Sequence, residues 1–175
     1  AATVTRLDTG LDVAATGGKP LDAALRADLA ALCAPHGIVR LTWEGEPVAQ
    51  SERPTLTLGG VSVSPPPGAF LQATEEGEAA LRAGVDEATE GAGRIVDLFA
   101  GLGTFALPLA DRAEVHAVEG DAGMTAALDA GWRGATGLRR VTTEARDLFR
   151  RPLEAEELSR FDAAVIDPPR AGAEA

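Results

Sequence analysis

The spacing of apolar residues divides this chain into two stretches of different character. Over residues 3–15, apolar and polar positions alternate on either side of Asp8-Thr9-Gly10. A period of two with a turn at its centre predicts a pair of short strands. Gly17, Gly18 and Pro20 then break the run. From Leu21 to Ala34 the apolar set Leu21, Ala24, Leu25, Leu29, Leu32 and Cys33 recurs at helical spacing, with Pro35 and Gly37 as the stop, so an amphipathic helix is expected. Residues 38–43 read as a strand, and 56–63 as a hairpin turning at Gly59-Gly60. The first stretch is therefore α+β.

The run Ser64-Pro65-Pro66-Pro67-Gly68 ends that pattern. Prolines donate no sheet hydrogen bond and hold φ fixed, so the run reads as a stiff connector and a boundary between a first piece, 1–63, and a second, 64–175. Beyond it the pattern alternates: helix (about 75–90), strand (94–98), helix (about 104–112), strand (114–118), helix (about 122–132), strand (138–143), helix (about 153–160), strand (161–166). Such alternation predicts a parallel, doubly wound α/β sheet of Rossmann-like type, preceded by the small α+β piece. The chain lacks an initiator Met and stops just after the fourth of these strands, which reads as an excised fragment with a truncated sheet.

Composition narrows the function classes. Hydrophobic residues make up 45% and charged residues 25%, the balance of a soluble globular chain. A single cysteine, Cys33, leaves no disulfide framework and no cysteine-built cluster; no metal site is expected, and a reducing cytoplasm fits. No apolar run reaches the length of a membrane span, and the start does not resemble a signal peptide. The formal net charge of −11 argues against a chain that grips a nucleic-acid backbone by itself, because phosphate binding depends on Lys and Arg displacing counterions. Weak RNA binding is the expectation.

The chemistry concentrates in Ile95-Val96-Asp97-Leu98-Phe99-Ala100-Gly101-Leu102-Gly103-Thr104-Phe105-Ala106, a buried strand running into a glycine turn. Gly101 and Gly103 let the backbone turn tightly against a ligand. The glycines alone also satisfy a dinucleotide fingerprint, so an NAD-type oxidoreductase domain stands as the rival reading. Asp97 discriminates. A carboxylate at this strand end repels a pyrophosphate but attracts the ammonium and sulfonium of S-adenosylmethionine. Glu119 ends the second strand, where an acid accepts ribose hydroxyls, and Asp147 follows the third, where it could accept the adenine amino group. Asp167 opens Asp167-Pro168-Pro169-Arg170 after the fourth strand, held rigid by its prolines. Taken singly, each acid is as easily a helix cap or a solvated loop residue; their recurrence after successive strands favours a site.

At these motifs the chain resembles the RNA uracil-C5 (5-methyluridine) methyltransferases. The resemblance covers roughly residues 60–175 and rests on Phe70-Leu71-Gln72, Asp97 to Phe105 with Leu107-Pro108-Leu109, Val118-Glu119-Gly120 and Asp167-Pro168-Pro169-Arg170-Ala171-Gly172. It implies a cofactor site of Gln72, Asp97, Phe99, Gly101, Gly103, Thr104, Glu119, Asp147 and Asp167 for S-adenosylmethionine, with tRNA or rRNA as substrate. The family usually has Cys before the first glycine and Asn after the second, where Ala100 and Thr104 stand here. Uracil C5 methylation needs a thiolate to add at C6 and a base to remove the C5 proton. The family places both beyond the Asp-Pro-Pro-Arg strand, so no catalytic residue is expected before Ala175, and a SAM-binding module without activity is the remaining alternative. Cys33 reads as a core residue, His116 as a strand residue with no thiol or hydroxyl partner implied by spacing, and Trp43 and Trp132 as packing groups.

Overall fold

The computed structural model describes residues 1–69, 71 and 74–169. Two compact units emerge: Ala1–Leu56 with Ser64–Leu71, and Thr57–Val63 with the chain from residue 72 onward. The Gly59-Gly60 hairpin groups with the second unit, while the proline run groups with the first.

In the first unit, β1 (Ala2–Leu7), β2 (Gly10–Ala15), β3 (Ile38–Trp43) and β4 (Glu46–Gln50) form one sheet in that order. Helix α1 (Ala23–Cys33) packs on β3 and β4. Its first turn is capped by Asp22, whose side chain accepts the Leu25 N–H at 2.7 Å, satisfying a donor that the helix itself leaves free. Arg40 and Asp12, paired across β2 and β3, form a buried two-pronged ion pair at 2.7 and 2.7 Å. Strand β4 is not announced by the sequence pattern. It carries Pro47 and sits at the sheet edge, the position where a missing N–H breaks no ladder.

The second unit contains the α/β sheet. After the hairpin β5 (Leu56–Leu58) and β6 (Val61–Val63) come α2 (Glu75–Ala88), β7 (Arg94–Leu98), α3 (Ala106–Leu109), β8 (Glu114–Glu119), α4 (Ala122–Gly134), β9 (Val141–Ala145), α5 (Ala155–Leu158) and β10 (Ala163–Ile166). The strands run parallel in the order β10-β7-β8-β9. The chain moves from β7 outward through β8 to β9, then returns to the other side of β7. That reversal makes the gap between β7 and β10 the switch point, where open α/β sheets take their ligands. Strand β7 is enclosed on both faces, with Ile95, Val96 and Asp97 each 0% exposed. Val96 packs with Val118 and Leu148 beneath Leu153, Leu158 and Phe161. Helix α4 packs on β8, β9 and β6, its Gly131 so close to Val63 that an added Cβ would stand 2.9 Å from it.

The element types follow the sequence pattern; several boundaries do not. The expected helix 104–112 contracts to one turn, and just beyond Ala110 the hydrogen bonds of Asp111 N–H to Pro108 O and Arg112 N–H to Leu109 O tighten to three-residue spacing. The expected strand 138–143 lies at Val141–Ala145, set by parallel register with β8, Val115 opposite Val141 and Glu119 opposite Ala145.

Candidate functional site: the carboxyl rim of the parallel sheet

The strand β7 delivers Asp97 and Leu98 to the switch point, and the chain then turns sharply. Phe99 adopts φ +62°, Gly101 φ +56° and Gly103 φ +94°. A left-handed Phe is strained, and such strain persists where surrounding structure enforces it. At Gly103 a Cβ would stand 3.0 Å from both Leu107 and Leu128, so packing and backbone angle both demand glycine.

The amides of this turn point inward. Ala100 N–H donates to Val118 O at 3.1 Å, Gly103 N–H to Ala100 O at 2.9 Å and Leu107 N–H to Gly103 O at 3.0 Å. Gly101 N–H donates to Glu119 Oε2 at 2.9 Å, and Asp121 N–H to Glu119 Oε1 at 2.9 Å. The Glu119 carboxylate thus ties the glycine turn to the start of α4, which Asp121 caps through Met124 N–H. A dinucleotide loop keeps its amides free for phosphate. Here Ala100, Gly101 and Gly103 have spent theirs within the protein, and the helix behind the turn is a single turn.

Asp97 is wholly enclosed, and among the described residues neither of its oxygens has a hydrogen-bond partner. Burial raises its pKa to about 8, the nearby carboxylates of Asp167 and Glu119 push the same way, and the Ala106 N–H draws it down. That amide approaches Asp97 without completing a well-formed hydrogen bond. Burial without a partner favours the protonated form of Asp97, so its attraction for a cation is not a standing charge. A buried polar side chain left unsatisfied in an otherwise apolar strand is the kind of local conflict that marks functional positions.

Asp147 is exposed and accepts Phe149 N–H at 3.0 Å and Arg150 N–H at 3.3 Å through Oδ1, with Arg150 Nε 3.4 Å from Oδ2. It shapes its own loop while remaining at the rim. Asp167 is exposed at the end of β10, its N–H 3.4 Å from Leu98 O. Thr104 is half-buried at the far end of the glycine turn. The structure thus gathers Asp97, Phe99, Gly101, Gly103, Thr104, Glu119, Asp147 and Asp167 along one rim. Gln72 lies outside the described residues, as do Phe70 and Arg170.

Two residues here escape sequence reasoning. Phe149, 43% exposed, pairs with Phe99 at 5.4 Å between ring centroids; the only sequence signal is an aromatic just after the third-strand acid. Arg146 donates to Arg151 O at 2.6 Å, Pro152 O at 2.6 Å and Glu157 at 2.8 and 3.1 Å, and so folds the loop that carries Asp147. Linear spacing implies no hydroxyl partner for His116, but the fold supplies one: its Nδ1 lies 2.8 Å from Thr142 Oγ1, and its Nε2 3.3 Å from Glu144. Parallel register sets His116 opposite Thr142, a relation invisible in linear spacing.

With its parallel sheet and carboxyl-rim crevice, the second unit has the fold of the S-adenosylmethionine-dependent methyltransferases. A Pyrococcus abyssi tRNA (uracil-54, C5)-methyltransferase, solved with S-adenosyl-L-homocysteine, aligns over 98% of this chain and 44% of its own with a TM-score of 0.66 at 18% identity. By sequence the chain is a relative of bacterial RNA methyltransferases. It is 51% identical over 172 residues, 98% of its length, to an uncharacterized RNA methyltransferase of Rhizobium meliloti. It is 40% identical over 124 residues, 69% of its length and 24% of the relative's, to the 23S rRNA (uracil(1939)-C(5))-methyltransferase RlmD of Chromohalobacter salexigens. The chain spans 41% of the length of the Rhizobium relative. No family model matches it.

Proposed function

We propose that this chain is the S-adenosylmethionine-binding part of a cytoplasmic RNA methyltransferase that, at full length, methylates C5 of uridine in tRNA or rRNA. The observation that carries the cofactor reading is the inward hydrogen bonding of the glycine turn. With the amides of Ala100, Gly101 and Gly103 engaged, the turn offers fewer donors to the pyrophosphate of NAD, and the acids Glu119 and Asp167 around the turn oppose one. The same acids suit a nucleoside carrying positive charge. Glu119 accepts ribose hydroxyls while its two N–H contacts hold it in place; Asp147 faces the adenine amino group; Asp97 and Asp167 flank the cationic end; Gln72 and Thr104 complete the site by resemblance. When bound, S-adenosylmethionine supplies an electrophilic methyl group. The uridine specificity rests on the names of the more distant RlmD relative and of the Pyrococcus enzyme.

Uridine C5 becomes nucleophilic only after a thiolate adds to C6. Cys33 does not serve: it is buried, its Sγ lies 3.6 Å from Leu29 O, and burial pushes its pKa up. The nucleophile and base belong, in this reading, to the part of the relatives' length outside this chain. RNA is the substrate of that longer enzyme, and the acidic chain alone holds it weakly. Calorimetric titration with S-adenosylmethionine, S-adenosylhomocysteine and NADH tests the cofactor assignment. Saturable binding of the first two and none of the third is expected; NADH binding without the others overturns it.

A further inference from the structure

We propose that Asp97 selects the charge of the ligand in the carboxyl-rim crevice: it holds a proton while no cation is present and releases that proton when a cationic nucleoside binds. The inference rests on the S-adenosylmethionine reading and adds to it a proton that must leave.

The argument starts from the geometry. The carboxyl group is 0% exposed, and neither oxygen has a hydrogen-bond partner among the described residues. An ionised carboxylate so placed lacks both water and counter-charge, a state that buried carboxyls avoid by taking up a proton. The groups that act on Asp97 leave no other escape. From β8 comes Glu119 and from the end of β10 Asp167, both acids that disfavour a third negative charge. The turn from Phe99 to Ala106 carries no titratable side chain and offers only the imperfectly placed Ala106 N–H. Helix α4 buries Thr125 and Leu128, which do not titrate, and its Asp129 and Arg133 pair with each other at 2.7 Å. The one cation of β7, Arg94, stands at the opposite end of the strand and pairs with Asp162. Among the described residues, no cation neutralises Asp97.

A ligand at the switch point with an ammonium and a sulfonium supplies the missing charge. The Asp97 O–H bond then breaks, its electron pair stays on the carboxylate and the proton passes to solvent, so one positive charge replaces another beneath the turn. A neutral nucleoside brings no such compensation and leaves the proton in place. The crevice thereby distinguishes S-adenosylmethionine from 5′-methylthioadenosine, which has the same adenosine but neither cationic group.

Titration calorimetry at pH 7 in phosphate and in Tris, buffers of different ionisation enthalpy, reads the proton directly. S-adenosylmethionine should release about one proton per molecule bound, and 5′-methylthioadenosine none. Between about pH 5 and 6.5, below the range where the ligand's own α-amino group deprotonates, affinity for S-adenosylmethionine should rise by up to about tenfold per pH unit. In Asp97→Asn both the release and the slope should vanish. Should that variant fail to fold, the wild-type infrared band of a protonated carboxylic acid, lost on adding S-adenosylmethionine, reads the same event. Binding of S-adenosylmethionine without proton release, or with a flat pH profile, overturns the inference and leaves the cofactor assignment standing. Binding of neither nucleoside at any pH overturns both.

Discussion

The amino rim of the parallel sheet holds Arg94, Arg140 and Arg160 around a cavity of about 370 Å³, whereas the carboxyl rim holds Asp97, Glu119, Asp147 and Asp167 around a strained turn. The open hollow makes the amino rim inviting. Its polar groups, however, answer one another. Asp162 accepts the N–H groups of Gly93 and Arg94, which hold its pKa below the usual carboxylate range. Arg160 lies over the Phe161 ring at 4.9 Å, and His116, its pKa lowered by burial, is engaged by Thr142 and Glu144. At the carboxyl rim the hydrogen bonding closes the turn but leaves Asp97 unanswered. Unmet polar demand and backbone strain at a switch point locate the site better than an open hollow does.

The contrast breaks most visibly at Glu119. Glu119→Ala removes a hydrogen-bond acceptor for ribose together with the tie between Gly101 and Asp121, and should weaken S-adenosylhomocysteine binding by about 1–3 kcal/mol in calorimetry. Unchanged affinity takes Glu119 out of the site.

A second effect concerns stability and its sign. Asp97 binds its proton in the folded chain up to about pH 8, while in the unfolded chain it releases it near the ordinary carboxylate value. Between those values the unfolded state holds fewer protons, so the contribution of Asp97 to stability falls as pH rises. Asp97→Asn, which mimics the neutral acid, should therefore raise the melting temperature of the ligand-free chain more at pH 8 than at pH 5. The difference should reach at least about 1 kcal/mol, or roughly 2–4 °C. A pH-independent difference shows that Asp97 is ionised throughout.

The smallest effect sharpens the comparison from the other side. Arg140→Ala with Arg160→Ala, at the amino rim, should alter S-adenosylhomocysteine affinity by less than about 0.5 kcal/mol, the range of surface changes away from a site. A larger loss of affinity makes the amino rim part of the binding surface.

Much of this was legible in the residues alone. The alternation of helical and strand periods defines the parallel sheet, and Asp97, Gly101, Gly103 and Glu119 stand out because acids recur at the ends of successive strands beside a glycine turn. Strand β4 was hidden by Pro47, and the reach of α3 was overstated because periodicity does not register where hydrogen bonding tightens after Ala110.

What the sequence determined by itself is the order of elements and the identity of the acids, since both follow from periods of 2 and 3.6 and from side-chain chemistry. What only the tertiary structure decided is the state of those acids. Parallel register set His116 beside Thr142 and Glu144, the fold of the turn gave Glu119 the amides of Gly101 and Asp121, and enclosure of β7 on both faces deprived Asp97 of water and partner alike. Burial and pairing arise between segments distant in the chain. A carboxyl group's charge, which depends on both, is therefore settled by the fold.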